Sequence, residues 1–169
     1  VGLSIKAASD FDTAFTGVKK TVDEVSDANG KVTLSYADLE KGIRNMALEI
    51  PASTTEISAV AEAAGQLGIS TENVLSFTRT MIDMGQATNL SSEEAAVALA
   101  KFKNVTSMSE DNFSRLGSAI VALGNSSATT EADITKMALN LASAGHQVGM
   151  SEAEIVGLSA ALSSLGLEA

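Results

Sequence analysis

The sequence predicts an all-helical fold: a long N-terminal helix followed by a compact array or bundle of about seven short, capped, antiparallel helices. Three observations predict it. The apolar residues, 45% of the chain, are mostly Ala, Leu, Ile, Val and Met, with five Phe, one Tyr and no Trp, so side-chain volume comes in small pieces that suit packed helices better than sheets. A single proline, Pro51, and glycines that stand mostly between periodic segments leave few helix interiors interrupted. Polar cap residues followed by acids recur at spacings close to one helix plus a short connection.

The first element runs from Ser4 to Val25. Ser4, Ala8, Phe11, Phe15, Val18, Val22 and Val25 step alternately by four and three, the heptad spacing of a coiled-coil seam. Such a stripe packs either on its own chain, the leading reading, or on another copy, which makes Ala8, Phe11, Phe15, Val18, Val22 and Val25 the candidate self-association surface. Asp27-Ala28-Asn29-Gly30 tolerates left-handed backbone and ends this helix in a turn. Lys31-Val32-Thr33 follows as a short extended stretch.

Ser35, three residues before Asp38, opens a helix over about 35–49 with Leu39, Ile43, Met46 and Ile50 on one face. Pro51 closes it, because the residue before a proline is pushed away from helical angles. The caps that follow are Ser53 or Thr54, Ser70, Ser91, Ser109, Thr130 and Ser151, the last five separated by 21, 18, 21 and 21 residues. Helices are expected at about 54–66, 71–86, 92–103, 110–123, 131–145 and 152–165. Ser53 with Glu56, Ser91 with Glu94, and Ser151 with Glu154 have the spacing of reciprocal capping boxes. Ile69 with Val74, Met108 with Phe113, and Met150 with Ile155 have that of hydrophobic staples. Helices this short are marginal alone in water and must stack to exist. The expected organisation is residues 1–30 as an N-terminal helix with a coiled-coil-like seam and 31–169 as a helical core domain. With Val1 where an initiator Met would be, the expectation is a fragment of a longer protein.

A net charge of −10 and the lack of a basic patch argue against direct nucleic acid binding. Part of that charge is cap chemistry: Glu93-Glu94, Glu110-Asp111 and Glu152 with Glu154 fall in first helical turns, where acids complement the helix dipole. No stretch has the roughly 18 apolar residues of a membrane span. Without cysteines there are no disulfides or thiolate metal sites. The one histidine, His146, sits where a helix is ending and reads as a dipole partner; alone it makes no zinc site. Adjacent acids at i and i+1 diverge on a helix and cannot work as an acid–base pair. Scattered single glycines assemble neither a phosphate loop nor a dinucleotide fingerprint. The residues therefore point to no catalytic, cofactor-binding or metal-binding site, and on their own they read as a helical interaction or scaffold module. An enzyme, for instance a peptidoglycan-cleaving module, would need a carboxylate such as Glu49 or Glu62 buried in a cleft with a raised pKa.

The wording of the sequence adds a resemblance. Ala8-Ser9-Asp10-Phe11-Asp12, Met46-Ala47-Leu48-Glu49-Ile50-Pro51-Ala52-Ser53, Ala63-Ala64-Gly65-Gln66-Leu67-Gly68-Ile69 and Ala87-Thr88-Asn89-Leu90-Ser91-Ser92-Glu93-Glu94-Ala95-Ala96 occur in that order. Leu116-Gly117-Ser118-Ala119-Ile120-Val121-Ala122-Leu123-Gly124-Asn125 and Thr130-Glu131-Ala132-Asp133-Ile134 follow. Together they resemble the shared core region of tail tape measure proteins of long-tailed phages and prophages. That resemblance implies a structural protein of the virion tail, not an enzyme, which templates tail-tube length and leaves the tube ahead of the DNA. Its implied partners are tail-tube subunits and tail assembly chaperones, and its implied places are the tube interior and, during assembly, the host cytoplasm. Family proteins are several times longer, and their membrane-active or wall-degrading stretches lie outside a segment of this kind.

Overall fold

Burial of one apolar stripe per helix organises the chain into eight α-helices and one small hairpin among the described residues. The structure is a computed structural model that describes residues 2–167, with the side chains of residue 6 and of 8–167. In chain order the elements are α1 (Gly2–Thr21), β1 (Val25–Ser26), β2 (Val32–Leu34), α2 (Tyr36–Glu49), α3 (Thr54–Gln66), α4 (Thr71–Ala87), α5 (Ser92–Thr106), a 3-10 turn (Glu110–Asn112), α6 (Phe113–Ser126), α7 (Glu131–Gln147) and α8 (Glu152–Ser164). They form two compact units, Val1–Ile82 and Asp83–Ala169. The expected boundary at residue 30 falls inside the first unit, because α1 packs on α3.

The caps act as their chemistry dictates. Ser35 with Asp38, Ser91 with Glu94 and Ser151 with Glu154 form reciprocal boxes. The Ser53 hydroxyl accepts from the Glu56 N–H, and the Thr130 hydroxyl from the Asp133 N–H; each such cap contributes ~1 kcal/mol. Ser109 differs: it precedes the 3-10 turn, makes no side-chain cap to the backbone, and leaves α6 to begin at Phe113, three residues later than expected.

In the first unit, Phe11, Phe15 and Val18 of α1 and Val22 just after it are buried with Leu39 and Ile43 of α2 and Ile57, Val60 and Ala64 of α3. The rings of Phe11 and Phe15 stack with centroids 5.7 Å apart. The Arg44 guanidinium covers Phe11 at 3.9 Å, a contact that stabilises by up to ~1–2 kcal/mol where water is excluded. Gly65 lets the end of α1 close on α3: a Cβ there would lie 2.6 Å from the Thr21 carbonyl oxygen. The Thr21 hydroxyl donates to the Glu62 carbonyl at 3.1 Å across the same junction.

Helix α1 stops at Thr21, so the predicted extension to Val25 is not helical. Val25 instead pairs with Leu34 in the β1–β2 hairpin. Its turn is built as the sequence suggests: Gly30 has φ +79°, and the Asp27 carboxylate accepts from the Asn29 and Lys31 N–H groups at 2.9 and 3.0 Å. An Asx turn and a ladder satisfy this backbone locally, which competes with another helical turn through β-branched Val22 and Val25.

In the second unit α5 packs on α7, α6 on α7 and α8, and α7 forms a hairpin with α8. Ala95, Ala96 and Ala100 of α5 are wholly buried, which brings backbones close. Ile134, Met137 and Ala142 of α7 and Ile155 and Val156 of α8 complete this core.

The two units repeat one another. Shifting α2 and α3 by 77 residues superposes Leu39 on Leu116, Ile43 on Ile120, Ile57 on Ile134, Ser58 on Thr135 and Ala61 on Ala138, each of these ten buried. From the end of α3 the shift is 81, pairing Val74 with Ile155 and Thr78 with Ser159, again all buried. The α3–α4 and α7–α8 turns are the same: Gly68 and Gly149 have φ +78° and +84°. The next N–H donates to the carbonyl five residues back, Ile69 to Ala64 and Met150 to Gly145, a Schellman closure. The shift grows because α7 has 17 residues where α3 has 13, and four residues are close to one turn, so the buried face is kept.

Candidate interaction surface

Phe11, Phe15, Val18 and Val22 are 0–4% exposed within the first unit, turned on the chain's own helices. Ala8 is exposed, and Val25 is half-buried on β1; the Ser4 side chain lies outside the described residues. The stripe is thus consumed internally, and association through it as a whole needs α1 to leave α3.

A second surface lies in the other unit, between the 3-10 turn with α6 and the start of α8. It is a groove of about 450 Å³ whose floor is Met108, Leu116 and Val156, with Ala119 beside them. Arg115 of α6 and Glu152 of α8 stand on its walls. Neither charged side chain has a hydrogen bond or ion pair among the described residues. Nearby, Lys103 pairs with Glu110 at 3.0 Å, both largely shielded from solvent, which ties the end of α5 to the 3-10 turn. Ser107, between them, has φ +57° and is the one non-glycine residue in left-handed backbone among the described residues. Sequence reading missed this groove, because its walls come from helices 37 residues apart in the chain and no motif marks either.

The electrostatics are those of caps, not of acid–base chemistry. Hydrogen bonds from the Ser35 hydroxyl and then its N–H hold the Asp38 carboxyl below its usual range. The backbone N–H and then the hydroxyl of Ser91 do the same to Glu94, and those of Ser151 to Glu154. A general acid needs the opposite shift. Glu49, one of the two acids named above, is exposed and pairs with Arg79 at 2.8 Å; Glu62 is half-buried and accepts from Gln66 at 3.2 Å. His146 is exposed in the last turn of α7. No group of three His, Cys, Asp or Glu that could hold a metal ion occurs among the described residues. No helix among them is long and apolar enough to cross a membrane.

Comparison with known proteins gives this helical, cap-punctuated chain its context. The family model described as phage-related minor tail protein matches residues 40–169. The chain belongs to the phage-related minor tail protein family. The match starts inside α2 and runs through α3 to α8, so it takes in nearly all of both copies of the repeat. For a member of this family the virion tail is the place, and tail components are the surroundings of the surfaces above. No curated protein and no solved structure matches the chain.

Proposed function

We propose that this minor tail protein segment is a folded part of a tape measure protein, with a structural and assembly role and no catalytic site of its own. The observation that supports the reading most is the family match over the whole run of short capped helices. A tape measure sets length through its residue count, since helix advances ~1.5 Å per residue. The longest helix here has 20 residues, about 30 Å by that same rise, so the fold described is not the stretched ruler. In the tail lumen the segment either opens at the glycine-to-cap junctions or lies outside the measured length. Opening frees Ala8, Phe11, Phe15, Val18, Val22 and Val25 for association with other copies. Its partners are tail-tube subunits and tail assembly chaperones, and it departs ahead of the DNA. The open groove on the second unit favours a second reading, a helical scaffold that binds partners and measures nothing.

The test is an in-frame duplication of residues 36–169 in a phage that encodes the chain, with tail lengths read by negative-stain electron microscopy. A ruler segment lengthens the tail by about 200 Å at ~1.5 Å per residue. Tails of unchanged length that still contain the duplicated protein overturn the ruler role for this segment, which then either lies outside the measured length or serves as a scaffold.

A further inference from the structure

The repeat shows what the groove on the second unit lacks. In the first unit the equivalent place is closed twice. Leu75 of α4 lies directly against Gly42 of α2, at the positions of Val156 and Ala119. The chain leaving α1 then runs over the starts of both helices: the Glu24 carboxylate accepts from the Tyr36 N–H at 2.8 Å, and the Thr71 hydroxyl donates to the Asp23 carbonyl at 2.8 Å. Fourteen residues join α1 to α2, but only six join α5 to α6. The second unit therefore has no counterpart of that strap, and the ground it covers in the first unit is open in the second.

The walls have also changed charge. Arg115 stands where the first unit has Asp38, and Glu152 where it has Thr71. A cation on α6 and an anion on α8, neither with a partner among the described residues, line one groove with Met108, Leu116 and Val156, so the complement is a segment with an acid toward α6, a base toward α8 and an apolar side chain between them. We propose that this groove is a docking site for an extended segment of a partner protein with that basic–apolar–acidic order. The stretch from the last turn of α1 into the strap carries that order in its sequence, Lys19-Lys20, Val22, Asp23-Glu24.

The probe is a synthetic peptide of residues 18–28 titrated into the intact chain labelled with 15N. Shifts are expected at Met108, Arg115, Ala119 and Val156 at peptide concentrations up to ~1 mM. Arg115→Glu is expected to weaken binding about tenfold, the loss of roughly one well-placed charge contact. Ala119→Leu fills the groove and abolishes the shifts, while circular dichroism melts of both variants stay close to the parent's. Lys101→Glu on α5 leaves binding unchanged. The proposal is overturned by an absence of shifts, by shifts elsewhere, or by equal binding of a peptide carrying Asp23→Lys and Glu24→Lys. Concentration-dependent shifts of the same residues without peptide would make the occupant a second copy and overturn the partner assignment.

Discussion

One substitution, glycine to alanine, is expected to change sign between helices of this protein. At Gly157, inside α8, a Cβ meets nothing within 4 Å, so alanine removes backbone freedom from the unfolded chain and stabilises by about 1 kcal/mol. At Gly145 the added carbon lies 2.8 Å from Ile155 Cγ1; a side-chain carbon can yield, and the helix gain and packing cost nearly cancel. At Gly65 the obstacles are the Thr21 carbonyl at 2.6 Å and Val22 Cγ2 at 2.7 Å, and backbone does not yield. Ordinary contact begins near 3.4 Å, so the end of α1 has to retreat by several tenths of an ångström. That strains the packing by about 1–3 kcal/mol and weakens the Thr21–Glu62 hydrogen bond, a further loss of roughly 1 kcal/mol. Less the helix gain, Gly65→Ala is expected to destabilise by about 1–3 kcal/mol, a fall in Tm of roughly 2–10 °C for a chain of this size. Urea titrations followed at 222 nm measure all three variants. If Gly65→Ala raises the midpoint as Gly157→Ala does, α1 does not approach α3 closely, and the burial of the seam loses its support.

Other expectations can be checked in the same way. Asp38, Glu94 and Glu154 have pKa values lowered by their cap bonds; their contribution is present above the ordinary values of 3.8 and 4.5 and is lost as pH falls through the lowered ones. Urea midpoints between pH 6 and pH 3 should therefore fall less steeply in the triple variant Asp38→Asn, Glu94→Gln, Glu154→Gln than in the parent, and parallel curves would show the boxes do not form. Ser107→Gly relieves the left-handed backbone at the end of α5 and is expected to stabilise by ~0.5–1 kcal/mol, read as a higher melting temperature; a lower one would mean the Ser107 side chain is needed. Phe15→Glu with Val22→Glu places two charges in the first core. Amide exchange protection is expected to vanish from α1 and α3 and to persist in α7 and α8; protection retained in α1 would show that the stripe faces solvent.

Most helices were legible because each announces itself at both ends. Ser91 with Glu94 and Ser151 with Glu154 mark the starts of α5 and α8, Gly68 and Gly149 the stops of α3 and α7, and the expected bounds of these four helices hold to within three residues. The end of α1 was not legible, since a heptad pattern that reaches Val25 looks the same whether the last residues are helical or enter a strand, and only the ladder to Leu34 decides. The seam was found as a stripe, but which surface it meets depends on Gly65, whose role as the gap for α1 shows only in three dimensions. Arg115 and Glu152 were invisible as a pair for a related reason: their meaning comes from comparison with Asp38 and Thr71, and the one-turn difference between α3 and α7 hides that alignment from a fixed-period search.

That extra turn says something about how such a chain can vary. Inserting four residues between Ala61 and Gly145's counterpart Ala64 rotates the following side chains by only about 40° beyond a full circle, so the same stripe still meets the core. One or two inserted residues would swing it to solvent. Growth in these hairpins is therefore stepwise, each step close to 6 Å of added reach, with intermediate lengths rejected by the fold before any assembly partner is met.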